Sequence, residues 1–277
     1  MAVTILCPFF LLLFTYLGRT RRETTFDTSF MSFDQTDILR AIAVCLIISS
    51  HASCSTGQRI FTPLGGGGVA LFLICSGYGI TKSFMNSGLG NYWTKKILRI
   101  WLPYDSFLLF LLIIKNGPKY DSLSQLFLDF TCINTSYWYF SFLVYNYALF
   151  FVCHKFKILQ KYKYPIFLLG LGLLFVPENN IRSEQVLSYP IGMWLADYDK
   201  YIFKYLTKNN ILVVAIAFAI IGITCLAGKQ LHSIRSLGED NILMRLLQLG
   251  LKTSIALFLV SILQLAPPPD TGRYIQK

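Results

Sequence analysis

The chain has 277 residues, of which 54% are hydrophobic and only 14% are charged, and its mean hydropathy is +0.53. Soluble globular domains carry about 25% charged residues, so this composition excludes a soluble domain and indicates a protein that crosses the membrane several times. The net charge of +11 does not require a nucleic-acid partner, because membrane proteins concentrate Lys and Arg in their cytoplasmic loops. Seven cysteines are scattered without a C-x-x-C pair, so neither a disulfide framework nor a metal site is expected.

Nine apolar segments follow one another along the chain, at about residues 2–17, 37–55, 64–81, 101–114, 136–153, 164–176, 185–196, 209–227 and 246–266. A helix needs about 20 residues to cross a hydrocarbon core roughly 30 Å thick. The shorter segments therefore depend on flanking Tyr, Trp and Lys residues, which anchor helices at the interfaces. The sequence predicts an all-α fold, a polytopic transmembrane helix bundle of eight to nine spans in a membrane-lipid environment.

The first 30 residues are expected either to form an extra N-terminal span or to come from a misassigned start. They lack the basic region and the small-residue cleavage site of a signal peptide. Met31 opens the polar run Met-Ser-Phe-Asp-Gln-Thr-Asp, which is typical of a cytoplasmic start. Residues 31–277 are expected to form the main transmembrane domain.

The Lys and Arg residues between the apolar segments predict the orientation of the chain. If the loop that carries Arg19, Arg21 and Arg22 is cytoplasmic and the segments alternate, seventeen cations fall inside and seven outside, while Lys252 falls within the last segment. Cytoplasmic loops show this bias. The seven outside cations are Arg59, Lys115, Lys119, Arg182, Lys229, Arg235 and Arg245.

Arg40 and His51 are polar residues within a long apolar stretch. His51 comes eleven positions after Arg40, an offset that returns to within about 20° of the same helix face at an axial distance of roughly 16 Å. Such groups cost several kcal/mol in a membrane unless they face a protein interior or water, so the pair is a candidate functional site. An imidazole, with a reference pKa of about 6.5, is able to take a proton from a hydroxyl at pH 7. The alternative is a buried, structural His that bonds a backbone carbonyl.

Four consecutive glycines at 65–68 precede an apolar run with small residues at 75–77 and 79. Glycine permits the close approach of a ligand or of a neighbouring helix. Because no strand or phosphate-binding loop accompanies this run, it predicts tight helix packing rather than a nucleotide-binding fold.

Two further motifs have both a structural and a functional interpretation. Lys96 and Arg99 share a helix face three residues apart, and they either anchor the chain to anionic lipid or bind phosphate. Trp138 and Tyr139 belong either to an aromatic belt at the outer interface or to a platform on which a sugar stacks. His154, which a lysine follows, is expected at the lipid headgroups.

Together these stretches resemble acyltransferase family 3, the integral-membrane O-acyltransferases that modify cell-envelope sugars. Four features match in order over residues 34–150: the arginine-x10-histidine helix, the Gly-Gly-Val-Ala-Leu-Phe-Leu-Ile-Cys-Ser-Gly-Tyr run, the basic-x-x-Arg-Ile-x-x-Pro run and the Trp-Tyr-Phe run. Lys96 stands where an arginine is usual, and the chain stops at Lys277, where family members continue with two further spans. Residues 31–277 are therefore expected to be C-terminally truncated, lacking the last two helices of a ten-helix family core.

The resemblance implies an acetyl-CoA or other acyl-CoA donor, no metal, and transfer to a hydroxyl of a cell-surface or lipid-linked saccharide at a bacterial inner (plasma) membrane. It makes His51 and Arg40 the essential pair. We expect the cations Arg40, Lys96 and Arg99 to bind the CoA phosphates from the cytoplasm, and His51 to activate the acceptor hydroxyl. The expected substrate-binding residues are Ser76, Tyr78, Trp138 and Tyr139, and the candidates to orient the imidazole are Ser50, Ser76 and Tyr78.

Two alternatives remain open from the sequence. The acyl group passes either directly to the acceptor or through an acyl-enzyme on Ser or Cys. The main rival function is a transporter or flippase for a polyprenyl-linked or anionic sugar, which would use the same His and Arg as a proton relay or anion site. Such a transporter is expected to show an internal repeat or paired broken helices, and the sequence shows neither. A purely structural membrane subunit is the third interpretation.

Overall fold

A computed structural model describes residues 30–57, 61–114, 119–133, 137–172, 180–205, 207–239 and 241–265, and these residues form helices without strands. In chain order the helices are α1 (Phe33–Ser55), α2 (Thr62–Ser87), α3 (Tyr92–Lys96), a π-helical turn (Ile97–Trp101), α4 (Leu102–Ile113), α5 (Leu123–Phe130), α6 (Trp138–Lys155), α7 (Lys157–Lys161), α8 (Lys163–Gly172), α9 (Asn180–Ser183), α10 (Ser188–Asp197), α11 (Asp199–Tyr205), α12 (Lys208–Gln230), α13 (His232–Arg235) and α14 (Ile242–Leu265).

The chain divides into two compact units. The first unit comprises Met1–Lys82 and Leu174–Lys277, and the second comprises Ser83–Leu173, so the last turn of α2 belongs to the second unit. The all-α prediction is confirmed for the described residues.

The number of membrane spans differs from the prediction. Among the described residues, four helices, α1, α2, α12 and α14, are long and apolar enough to cross a membrane. Within the described residues, the other predicted segments contain shorter helices, for example α10 with 10 residues. The eight to nine predicted spans are therefore not confirmed, because hydropathy locates apolar segments without fixing how long the helix through each one is. The predicted first segment, at 2–17, lies outside the described residues.

Glycines allow α1 and α2 to pack closely. A Cβ at Gly68 would lie 2.8 Å from the carbonyl oxygen of Ala43, and one at Gly65 would overlap the side chain of Ser50. The tight helix packing predicted from the glycine run is therefore confirmed.

Helix α1 begins at a capping serine, since the Ser32 hydroxyl accepts a hydrogen bond from the backbone amide of Gln35 at 3.3 Å.

Helices α2 and α10 interlock through one glycine from each. A Cβ at Gly77 would overlap the carbonyl oxygen of Tyr189, and a Cβ at Gly192 would overlap the carbonyl oxygen of Ile74. Each backbone thus occupies the space that a side chain on the other helix would need. This crossing fixes the short helix α10 against the long helix α2.

In the first unit, side-chain contacts join helix ends that the charge distribution assigns to the same side of the membrane. The Gln264 amide at the end of α14 donates to Gln35 at the start of α1, at 2.8 Å. Near the end of α2, Lys82 forms an ion pair with Asp199 at 2.5 Å. All four residues lie at predicted cytoplasmic ends, so helix directions in this unit agree with the predicted alternation.

In the second unit, α3, the π-helical turn and α4 follow one another without a break from Tyr92 to Ile113. The helix therefore begins well before the apolar segment predicted at 101–114. The Tyr92 hydroxyl donates to the carbonyl of Tyr147 on α6 at 2.9 Å. Asp129 on α5 is 1% exposed and accepts a hydrogen bond from Tyr104 on α4.

His154 on α6 is buried rather than exposed to lipid headgroups. Its ring stacks on Phe150 with centroids 3.8 Å apart and meets Phe84 edge-on at 4.5 Å. Its Nδ1 lies 2.8 Å from the carbonyl oxygen of Phe150. The headgroup interpretation is therefore wrong, and this His is a packed core residue of the second unit.

Candidate functional site

Arg40 and His51 lie on one uninterrupted helix, α1, so the helix assumed by the eleven-residue spacing is present. The Arg40 side chain is 37% exposed, and His51 is exposed. Helical side chains lean toward the N-terminus, which for α1 is the predicted cytoplasmic end. A half-buried guanidinium and an exposed imidazole are therefore separated along one helix by about 16 Å.

The Arg40 guanidinium lies between α1 and α2. Its Nη1 donates to Asp37 at 2.8 Å, and its Nη2 lies 3.7 Å from the point where a Cβ at Gly79 would stand. Lys82 follows one turn later on α2, with its ammonium paired to Asp199 and 6.0 Å from the ring centre of Tyr78. Two partly exposed cations, each balanced by a carboxylate, thus occur at one end of the first unit.

Lys82 was not predicted as a site residue. Its place in the sequence identified it only as one of the cytoplasmic cations, although it lies three residues after Gly79 and therefore on the same helix face. Side-chain exposure of 35% for Lys82 and 37% for Arg40 leaves both able to meet an anion from solvent.

Two of the three groups expected to orient the His51 imidazole form hydrogen bonds elsewhere. The Ser50 hydroxyl donates to the carbonyl of Thr62 at 3.3 Å, and the Tyr78 hydroxyl donates to the carbonyl of Phe30 at 2.9 Å. Ser76 is half-buried on α2. Within the described parts of the chain His51 makes no hydrogen bond, and its side chain is exposed.

Lys96 and Arg99, in the second unit, have different surroundings. The Lys96 ammonium lies over the Tyr147 ring at 4.4 Å and over the Tyr92 ring at 5.5 Å, whereas Arg99, within the π-helical turn, is exposed. Burial, followed by repulsion from Arg99 and Lys95, lowers the pKa of Lys96 to about 8. One cation is thus covered by aromatic rings and the other is open.

Trp138 and Tyr139 begin α6 in the second unit and are both half-buried. Their rings meet edge-on, with centroids 6.1 Å apart and an interplanar angle of 89°. The Trp138 ring also packs against Phe142 at 6.3 Å. The two rings therefore do not form one flat surface, and their assignment to substrate binding stays a prediction.

A buried ion pair in the first unit was not predicted. Lys252 on α14 bonds Glu184, and the two side chains are only 12% and 11% exposed. The Lys252 stem lies against Gly66, with Cε 2.5 Å from the position of a Cβ there, and Gln185 donates to the Gly66 carbonyl at 2.9 Å. The available signal was a lysine inside an apolar span, which marks a functional position by default.

No group of three or more His, Cys, Asp or Glu side chains with metal-ligand geometry occurs among the described residues.

A family model described as an acyltransferase domain matches residues 33–267. The match begins at the first residue of α1 and extends just past the end of α14. Comparison with curated proteins and comparison with solved structures found no match.

Proposed function

The chain belongs to the acyltransferase family whose domain covers residues 33–267, and from this premise we propose that it is a membrane O-acyltransferase for saccharides. The donor is acyl-CoA, acetyl-CoA in the first instance, bound from the cytoplasm. The acceptor is a hydroxyl of a cell-surface or lipid-linked saccharide, and the membrane is a bacterial inner membrane. Four long apolar helices and the family support the membrane location.

In the proposed reaction His51 acts as the general base. Its imidazole takes the proton of the acceptor hydroxyl as the oxygen attacks the thioester carbonyl, and the tetrahedral intermediate collapses with cleavage of the carbon–sulfur bond. The proton then passes from the imidazolium to the departing CoA thiolate, so the base is regenerated. We favour direct transfer because a thioester is already activated and needs no second covalent step.

Arg40 is proposed to bind the phosphates of the donor. The observation that carries the proposal is that Arg40 and His51 share helix α1, with Arg40 at the predicted cytoplasmic end and partly exposed. An anion arriving there would compete with Asp37 for a planar fork of donors that suits phosphate. The roughly 16 Å to His51 is of the same order as an extended pantetheine arm.

Lys96 and Arg99 are proposed as further cations for donor phosphates, on the motif match rather than on a contact. Arg99 is open to solvent, while Lys96 is partly covered and has a lowered pKa. Ser76, Trp138 and Tyr139 remain candidates for the substrate. The Tyr78 hydroxyl already bonds the Phe30 carbonyl, so we assign Tyr78 to the packing around the site.

Consumption of radiolabelled acetyl-CoA by the purified protein tests the function, with an extract of envelope saccharides as acceptor. His51→Ala is expected to abolish transfer, and His232→Ala, another exposed histidine of the first unit, is expected to retain it. Equal rates for folded His51→Ala and the unaltered protein would overturn the mechanism. Sugar flux without acetyl-CoA consumption would instead support the transporter, which no contact in the described part of the chain favours.

A further inference from the structure

A cavity of about 340 Å³ lies where α12, α13 and the start of α14 meet. This volume is near the lower end of the range for small-molecule pockets, about 300–1,000 Å³. The lining includes two cations, one carboxylate and two amides, from Lys229, Arg235, Glu239, Gln230 and Gln248. Their charges leave one net positive charge, and each of the five side chains carries hydrogen-bond donors or acceptors. The cavity therefore suits a polar anion rather than an acyl chain.

The cavity lies at the end of the first unit opposite to Arg40 and Lys82. Helix α12 ends and α14 begins there, and Lys229 and Arg235 both belong to the cations that the charge distribution places outside. A ligand of this cavity is therefore expected to come from the outer side of the membrane. The cavity is therefore not expected to bind the phosphates of a donor that enters from the cytoplasm.

One face of α14 connects the cavity to the buried ion pair. Gln248 lines the cavity, and Lys252, four residues later, lies on the same helix face. Lys252 bonds Glu184, and both are within electrostatic range of Lys229 at the cavity. Polar and charged groups thus continue from the cavity into a part of the unit where the side chains are nearly inaccessible to solvent.

Along the helix axes, the buried ion pair lies level with the turn of α1 that carries His51. The Lys252 stem packs against Gly66, and the Ser50 side chain packs against Gly65, the preceding residue of the same helix. Consecutive helical residues differ by about 1.5 Å along the axis. Since His51 follows Ser50, the polar groups of α14 reach the level at which the proposed base stands.

We propose that this cavity binds the acceptor as a saccharide that carries an anionic group, phosphate or carboxylate. Lys229 and Arg235 bind the anionic group, and the amides of Gln230 and Gln248 bind sugar hydroxyls. The buried pair of Lys252 and Glu184 continues this polar path toward the depth of His51. This inference rests on the proposed function, whose acceptor it narrows to acidic or phosphorylated saccharides.

Binding to the intact protein in phosphatidylcholine nanodiscs tests the proposal without requiring turnover. Isothermal titration compares glucose 1-phosphate, unmodified glucose and glycerol 3-phosphate, the last as a probe of lipid-headgroup binding. We expect glucose 1-phosphate to bind at least about tenfold more tightly than either of the others, because it alone offers both a charge-assisted contact and sugar hydroxyls.

The double variant Lys229→Gln/Arg235→Gln is expected to lose this preference. The matched control is Lys208→Gln, an exposed lysine at the opposite end of α12, which should bind as the unaltered protein does. Equal affinity for glycerol 3-phosphate would assign the cavity to lipid headgroups and overturn the proposal. Binding that survives the double variant, or no binding of glucose 1-phosphate at all, would also overturn it.

A titration with CoA in the same nanodiscs separates this proposal from the proposed function. CoA binding should be unchanged in the Lys229→Gln/Arg235→Gln variant, since these residues are placed on the other side of the membrane. Intact CoA binding with no response to the sugar phosphate would reject only the cavity proposal. Sugar-phosphate binding without CoA binding would reject the acyl-CoA donor and leave the cavity assignment standing.

Discussion

The guanidinium of Arg40 and the backbone of Gly79 are in close proximity, with Nη2 3.7 Å from the position that a Cβ of residue 79 would occupy. This distance is an ordinary van der Waals contact for one added carbon, but a branched side chain there would meet the guanidinium and push it away. The glycine therefore leaves space between α1 and α2 for the extended Arg40 side chain. Substitutions at this glycine allow the position of Arg40 to be tested without removing its charge.

Gly79→Leu is expected to displace Arg40 and to raise the apparent KM for acyl-CoA more than the KM for the acceptor. Gly79→Ala should behave almost as the unaltered protein, because its single methyl group fits at 3.7 Å. Initial rates over a range of acyl-CoA concentrations provide the measurement. An unchanged KM for acyl-CoA in a folded Gly79→Leu protein would show that donor binding does not depend on the present position of Arg40.

Arg40→Ala is expected to raise the apparent KM for acyl-CoA by about ten- to a hundredfold, since a charge-assisted phosphate contact contributes roughly 1.5–3 kcal/mol. Arg40→Lys should restore only part of the affinity, because a point charge replaces a planar fork. Asp37→Asn serves as a control, since it removes the carboxylate that pairs with Arg40 and is expected to strengthen donor binding slightly. A larger change in the acceptor KM than in the acyl-CoA KM would contradict the assignment.

CoA binding is expected to weaken as the pH rises through about 8 because Lys96, whose pKa is lowered to about 8, then loses its proton. The ammonium is charged below this pH and attracts phosphate, while the neutral amine above it does not, so affinity must fall with rising pH. Lys96→Arg should remove this dependence, since a guanidinium stays protonated. Lys95→Arg, at an exposed neighbouring lysine, should retain it. A titration with CoA at pH 7 and pH 9 makes the comparison, and an identical pH profile for Lys96→Arg would reject Lys96 as a phosphate ligand.

Local pattern was sufficient to predict the long helices and the role of the glycines. The segment predicted at 37–55 corresponds to Phe33–Ser55, and that at 209–227 to Lys208–Gln230. An apolar run of this length in a membrane has few ways to satisfy its backbone hydrogen bonds other than an α-helix. The glycine run at 65–68 packs between α1 and α14 as small residues do at helix interfaces. These features depend on residues close together in the sequence.

Features that depend on distant partners were not predicted. Lys252 lies within an apolar span, but its partner Glu184 is 68 residues away, and no periodicity connects the two. His154 appears at a basic helix end, yet aromatic rings of Phe84 and Phe150 enclose it. Lys96 and Arg99 likewise have different surroundings although they are three residues apart, since the rings of Tyr92 and Tyr147 lie against Lys96 while Arg99 is exposed. Tertiary contacts decide each of these cases.

Lys252→Ala is expected to destabilise the folded protein by about 3–5 kcal/mol, because it leaves the carboxylate of Glu184 buried without a counter-charge. The double variant Lys252→Met/Glu184→Met should recover most of this loss, since apolar groups of similar volume replace both charges. Thermal unfolding of the nanodisc-reconstituted protein measures both effects. If the double variant is as unstable as Lys252→Ala, the loss does not come from an unpaired charge, and the packing of the Lys252 stem against Gly66 dominates.

The predicted orientation of the chain is tested by labelling single cysteines from outside intact cells with a membrane-impermeant maleimide. Lys119→Cys and Arg235→Cys should be labelled, and Lys161→Cys should not, because the positive-inside bias places only the first two positions outside. All three lysine and arginine side chains are exposed, so a difference in labelling reports the side of the membrane rather than burial. The background protein needs Cys54→Ser, since Cys54 is exposed and lies at the predicted outer end of α1. Labelling of Lys161→Cys only after permeabilisation is the expected result, whereas labelling in intact cells would reverse the orientation. That reversal would place Arg40 outside and remove the route by which cytoplasmic acyl-CoA reaches it.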